Sequence, residues 1–203
     1  MDALYTRDLE RLREASREGA RAAERALRQM TGLAVDLQVV RAQPVAFADV
    51  PALLGGPEAP VIGIHMKVYG DCRANMLLAL PPPTALKILE VLFPPGVATL
   101  DRMQELESSG LTELGNIVAC AHLNALGTAC RKSLIPSVPA LAYDMAGAVV
   151  DVLLIEQGQR SDTALVIQVE IRAGEDLTGH LLFMPDPASL PRILEALRDP
   201  GAE

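Results

Sequence analysis

The chain has 203 residues, half of them hydrophobic, enough for one good-sized domain or two small halves sharing a core. Three Phe, three Tyr and no Trp require that core to be aliphatic and leave little with which to stack nucleobases. A formal net charge of -8 argues against a nucleic-acid partner, because affinity for phosphate backbones comes largely from Lys and Arg.

In chain order, residues 3 to 31 contain no Pro and a single Gly, and apolar or small residues recur at helical spacing from Leu9 to Met30. This predicts one long amphipathic helix stopped by Gly32. Its seven arginines, Arg7, Arg11, Arg13, Arg17, Arg21, Arg25 and Arg28, alternate with acids and read as a solvated face laced with ion pairs. LAVDLQVV alternates as a strand does, and the Pro- and Gly-rich residues 44–60 read as a crossover loop with one helical turn. VIGIHMKVYG and ANMLLALP predict two strands around a tight turn at Gly70 to Arg73, followed by a short helix in PTALKILEVL. Leu111 to Ala129 predicts a second long helix, and Ser137 to Ala142 an extended segment. VVDVLLIE and TALVIQVEIR read as strands, and GHLLFMP with PASLPRILEALR closes the chain.

The second half repeats the first. ANMLLALPPPTALKILEVL matches GHLLFMPDPASLPRILEAL at an offset of 105, and RALRQMTG answers NALGTACR at an offset of 99. The expected fold is therefore α+β: a single domain over residues 1–203 with pseudo-repeats at about 3–95 and 100–199. Two helix-plus-β halves related by a pseudo-twofold would join one antiparallel or mixed sheet, with the two long helices packed on it.

Cys72, Cys120 and Cys130 form no CxxC pair and read as reduced thiols, and no zinc spacing is present. His65, His122 and His180 stand among apolar neighbours and read as buried or half-buried rings. MDALYTRDLERLRE lacks an apolar signal region, and no apolar stretch is long enough to span a bilayer. The expectation is a soluble cytoplasmic protein that neither inserts into membranes nor binds nucleic acid.

The second long helix carries an unusual row. At about 100° per residue, Ser109, Glu113, Asn116, Cys120 and Asn124 fall in one sector, beside an apolar sector of Leu114, Ile117, Val118, Ala121 and Ala125. Gly115 and Ala119, four apart on a further side, would let another element approach closely. An unpaired buried polar group costs roughly 1 to 3 kcal/mol, so the row is expected to face water. Two readings fit it: ordinary surface polarity with Ser109 as the helix N-cap, or a site. By itself a Glu and an Asn one turn apart lack a nucleophile, a metal cluster or a phosphate loop. They can instead enter another protein's site, where a carboxamide, both donor and acceptor, holds a water in line with a phosphoryl group.

These residues resemble the signature of the CheC, CheX and FliY chemotaxis phosphatases: Asp or Ser, three residues, Glu, two residues, Asn, twenty-two residues, Pro. Ser109, Glu113, Asn116 and Pro139 stand at those spacings, and the resemblance covers residues 3–199 through the duplicated layout. It implies dephosphorylation of the phospho-aspartate of a CheY-type response regulator in chemotaxis or related two-component signalling. Asn116 would orient the hydrolytic water, Glu113 would dock on the regulator's lysine, and Ser109 and Pro139 would buttress the helix end. The resemblance implies no cofactor of the chain's own, Mg²⁺ on the partner regulator, and CheD as a further partner. Members of the CheC type commonly carry the signature twice. Here the counterparts in the first helix are Glu10, Glu14 and Arg17, with Val40 for the proline, so the first pseudo-site is degenerate and expected to be silent. The alternative is a non-catalytic adaptor for a receiver domain, CheD or the flagellar switch.

Overall fold

The first helix, α1 (Ala3–Thr31), buries Leu12, Ala15, Ala20, Ala23 and Leu27 at helical spacing and turns Glu10, Glu14, Glu18 and Arg21 outward. Four of its arginines pair one turn away, in Arg13–Glu10, Arg17–Glu14, Arg21–Glu18 and Arg28–Glu24. Each pair contributes about 0.2 to 0.5 kcal/mol, which makes the basic cluster a solvated face. Gly32, at φ 69°, ends the helix, and its N–H returns to the Arg28 carbonyl at 2.9 Å. The computed structural model describes residues 3–94, 105–157, 163–173 and 177–198. The expected repeat boundaries at 95, 100 and 199 lie outside the described residues.

β1 (Val35–Ala46) alternates as expected, with Val35, Leu37 and Val39 inward, but runs on past Val40 through Pro44. A strand tolerates that proline because β1 is an edge strand, where a missing N–H leaves no ladder partner unsatisfied. Two short 3-10 turns, Phe47–Asp49 and Pro51–Leu54, follow in the Pro/Gly-rich crossover. The chain continues through β2 (Pro60–Gly70), β3 (Ala74–Leu80), α2 (Pro82–Leu92), α3 (Glu105–Cys130), β4 (Leu134–Pro136) and β5 (Ala140–Met145). It ends in α4 (Ala146–Gln157), β6 (Thr163–Ala173), β7 (Leu177–Pro185) and α5 (Leu190–Arg198).

One expected element changes class. VVDVLLIE, read as a strand, lies in the helix α4. Its Val and Leu content favours a strand, but Ala146, Val149, Val150 and Leu153 are buried while Asp151 and Val152 are exposed, a period of helix rather than strand. The backbone N–H groups of Ala146 and Gly147 are satisfied by the carbonyls of Ala59 and Pro57, which seats the start of the helix.

The seven strands form one sheet in the order β1-β6-β7-β3-β2-β4, with β5 also on β2, and every pairing among the described residues is antiparallel. Each half's leading strand lies on the other half's hairpin: β1 on β6, and β4 with β5 on β2. The halves meet at β3 and β7. Leu77 and Leu182, equivalents under the 105-residue offset, are also register partners there, so the pseudo-twofold passes through that pair.

One face of the sheet, with Ile62, Ile64, Met76, Leu78, Ile167 and Phe183, is covered by α1, α3, α2 and α5. The other, with Val61, Leu77, Val166, Leu182 and Met184, is covered by α4 and the 3-10 turns. The long helices pack on each other through small residues. A Cβ at Gly19 of α1 would meet the His122 ring of α3 at 2.6 Å, and that ring is fully buried, tilted against Phe183 with centroids 6.4 Å apart. At the far end Asp8, buried on α1, takes a two-pronged ion pair from Arg198 of α5, closing the chain's two ends on each other.

Candidate functional site

α3 is held against the sheet where its side chains are smallest. Gly115 and Ala119 are buried, and a Cβ at Gly115 would meet Ile64 Cγ2 of β2 at 2.6 Å. That close seat fixes the rotation of the helix and turns the next residue, Asn116, away from the sheet. Leu111, Leu114 and Val118 are buried beside it. Ser109, Glu113 and Asn124 are exposed, and Asn116 and Cys120 are half-buried. The polar row thus lies along the outside of a rigid, well-packed rod.

The structure brings Ser109, Glu113 and Asn116 together on this one face. Ser109 is not the N-cap, because the helix already runs from Glu105 and places Ser109 in its second turn. Pro139 comes from a different element, the connection between β4 and β5. That connection is pinned to β2 by Ser137, whose N–H donates to the Lys67 carbonyl at 2.7 Å and whose hydroxyl accepts from Lys67 N–H at 3.0 Å.

The Asn116 carboxamide makes one hydrogen bond among the described residues: its Oδ1 accepts from the Cys120 thiol at 3.6 Å. Burial, and then the Glu113 carboxylate, push the Cys120 thiol above its usual pKa. It therefore stays protonated and keeps donating. Orienting the amide oxygen this way leaves Nδ2 uncommitted. Glu113 has neither an ion pair nor a hydrogen bond among the described residues, so both groups are available to something that docks. The spacing placed Cys120 in the row without assigning it a task; its position four residues after Asn116 was the available signal.

The corresponding face of α1 differs. Glu10 and Glu14 are exposed, but Arg17, standing where Asn116 stands, is ion-paired to Glu14. The guanidinium offers only donors and pairs with Glu14, the counterpart of Glu113. Val40, the counterpart of Pro139, lies exposed on the edge strand β1.

No protein-family model matches the chain. It is 30% identical over 191 residues to the CheY-P phosphatase CheC of Bacillus subtilis (strain 168), covering 92% of this chain and 91% of that protein. Among solved structures it is similar to Thermotoga maritima FliY, with a TM-score of 0.71 at 10% identity over 95% of this chain and 96% of that one. It is also similar to the FliM middle domain of H. pylori, with a TM-score of 0.68 at 14% identity over 94% and 98% of the two chains. The CheX-CheY-BeF3-Mg+2 complex of Borrelia burgdorferi gives a TM-score of 0.54 at 15% identity over 83% and 96%. These structural likenesses speak for the α+β fold, and no described helix is long and apolar enough to cross a membrane. Being 30% identical to a CheC protein over nearly the full length of both chains, the chain belongs to the CheC/CheX/FliY family of chemotaxis phosphatases.

Proposed function

We propose that this chain hydrolyses the phospho-aspartate of a CheY-type receiver domain, acting as one domain with a single working face on α3. The observation that carries this reading is the outward row on α3, with a Glu113 carboxylate and an Asn116 amide uncommitted except for the Cys120 contact. Oδ1 of the amide accepts a hydrogen bond from the water while Nδ2 donates to a phosphoryl oxygen, which aligns that water with the phosphorus. Glu113, one turn earlier, pairs with the receiver's lysine and fixes the register of docking. Mg²⁺ bound to the receiver neutralises the phosphoryl oxygens. Catalysis here is positioning, so a rigid helix with no nucleophile of its own is adequate.

The test is the decay of a receiver charged with acetyl phosphate. Asn116→Ala is expected to remove most of the acceleration, on the order of 10²-fold, and Glu113→Ala to weaken it chiefly through KM. If both variants accelerate decay as the parent does, these roles are wrong.

A second reading has its own observation. The fold is also that of FliM middle domains, one of them solved as a FliG-FliM complex from H. pylori, and the α1 face is closed by the Arg17–Glu14 pair. An adaptor that binds a receiver, CheD or switch components without hydrolysis would show saturable binding and an unchanged phosphate lifetime.

A further inference from the structure

The C-terminal end of α3 opens into a solvent-facing cleft of about 370 Å³, lined in part by Asn124, Thr128, Arg131, Lys132 and Ser133. Three observations distinguish it from the matching end of α1. Asn124 is the last member of the row that carries Glu113 and Asn116, so the cleft continues that row about 12 Å along the helix. In a chain of net charge -8, Arg131 and Lys132 make no side-chain hydrogen bond or ion pair among the described residues. Asp71, an acid bonded to the cleft residue Ser133, accepts from the Ser133 N–H at 2.7 Å. At the end of α1 the cation is instead consumed internally, since Arg28 donates to Glu24 at 3.1 Å and to the Val35 carbonyl at 3.0 Å. Finally, Arg131 is the one non-glycine residue at positive φ among the described residues, at 50°, and its repeat equivalent is Gly32 at 69°. A glycine would occupy that left-handed position without strain, so the arginine stands there against the local backbone preference.

We propose that this cleft is a second docking point for the same receiver, holding an acidic surface segment of it while Glu113 and Asn116 occupy the phosphorylation site. The inference rests on the phosphatase reading. The row from Glu113 to Asn124 supplies the continuity, and the two uncommitted cations supply the charge complementarity for an acidic partner. The cleft sets affinity and partner choice, and the chemical step belongs to Asn116.

The experiment measures the dissociation constant for a beryllofluoride-charged receiver, alongside kcat on the phosphorylated one. R131Q/K132Q is expected to raise Kd about tenfold at low ionic strength, with kcat within about twofold and the difference shrinking above about 0.3 M salt. R131G separates binding from structure: it relieves the left-handed backbone, so it is expected to raise Tm while still raising Kd about threefold. A double variant binding within about twofold of the parent overturns the cleft, and if N116A still abolishes hydrolysis the phosphatase reading stands. If N116A hydrolyses normally, that reading falls, and the Kd values alone decide the cleft. A parent chain that does not bind the charged receiver overturns both.

Discussion

α1 and α3 are equivalents in the repeat, and they have diverged on both of their faces. Outside, α1 presents Arg17 paired to Glu14, whereas α3 presents a Glu113 carboxylate without a partner among the described residues and an Asn116 amide bonded only to Cys120. Inside, Ser16 of α1 stands where α3 has Gly115. Ser16 is fully buried with its hydroxyl unpartnered among the described residues, while Gly115 lets Ile64 approach to within a Cβ's clash distance. The helix that carries the candidate site meets the sheet at Gly115, where no Cβ separates it from Ile64. A site that works by positioning gains from a helix that cannot rotate, and a helix that serves as a solvated wall has no such requirement.

The largest expected effect breaks the comparison outright. Asn116→Ala should reduce receiver dephosphorylation on the order of 10²-fold, whereas Arg17→Ala should leave it within about twofold. Equal losses in a phosphate-decay assay would mean that both helices act.

Of similar size is the pH response of the interface between them. Burial pushes His122 down to about 4 from its usual 6.5, with the Gly19 backbone opposing. Its folded-state pKa is depressed, so the unfolded chain binds the extra proton first. The neutral ring's contribution is complete above pH 6.5 and is lost progressively as the pH falls toward 4. Denaturant melts at pH 7 and pH 4.5 should register most of a loss of about 3 kcal/mol, and His122→Leu should flatten that slope. Asp8 acts lower: its hydrogen-bonded partner Arg198 holds the carboxyl below 3.8, so that contribution disappears only in stronger acid.

Smaller effects should follow from the helix seats, and with opposite signs. Gly115→Ala forces a methyl onto Ile64 and should cost about 1 to 3 kcal/mol, with kcat falling as Asn116 is displaced. Ser16→Ala removes an unpartnered hydroxyl and should be neutral or stabilising by about 1 kcal/mol. Thermal melts of the two variants read this directly. Least affected is Cys120→Ala, which frees the amide oxygen of Asn116 and should lower kcat by about 2- to 5-fold with KM unchanged.

Much of this was legible in the sequence because it depends on local periodicity. The 3.6-residue spacing of Leu12, Ala15, Ala23 and Leu27 determined α1. Gly32 determined its end, and the 105-residue offset determined that Leu77 and Leu182 would be equivalents. The outward row from Ser109 to Asn124 followed from angular spacing alone. VVDVLLIE was misread because β-branched content and helical period disagreed there, and packing on the second face of the sheet resolved the conflict in favour of α4.

What only the tertiary structure decided is which groups are committed. Spacing allowed Glu14 and Arg17 to interact; the fold forms that pair, gives Asn116 Oδ1 to Cys120, and leaves the Glu113 and Arg131 side chains without partners among the described residues. It also decided that each half's leading strand crosses to the other half's hairpin, pairing residues as far apart as Val35 and Ala173 for β1 and Pro60 and Met145 for β5. Periodicity assigns a side chain to a face. Whether that side chain is spent or available depends on neighbours that the fold brings in from elsewhere in the chain.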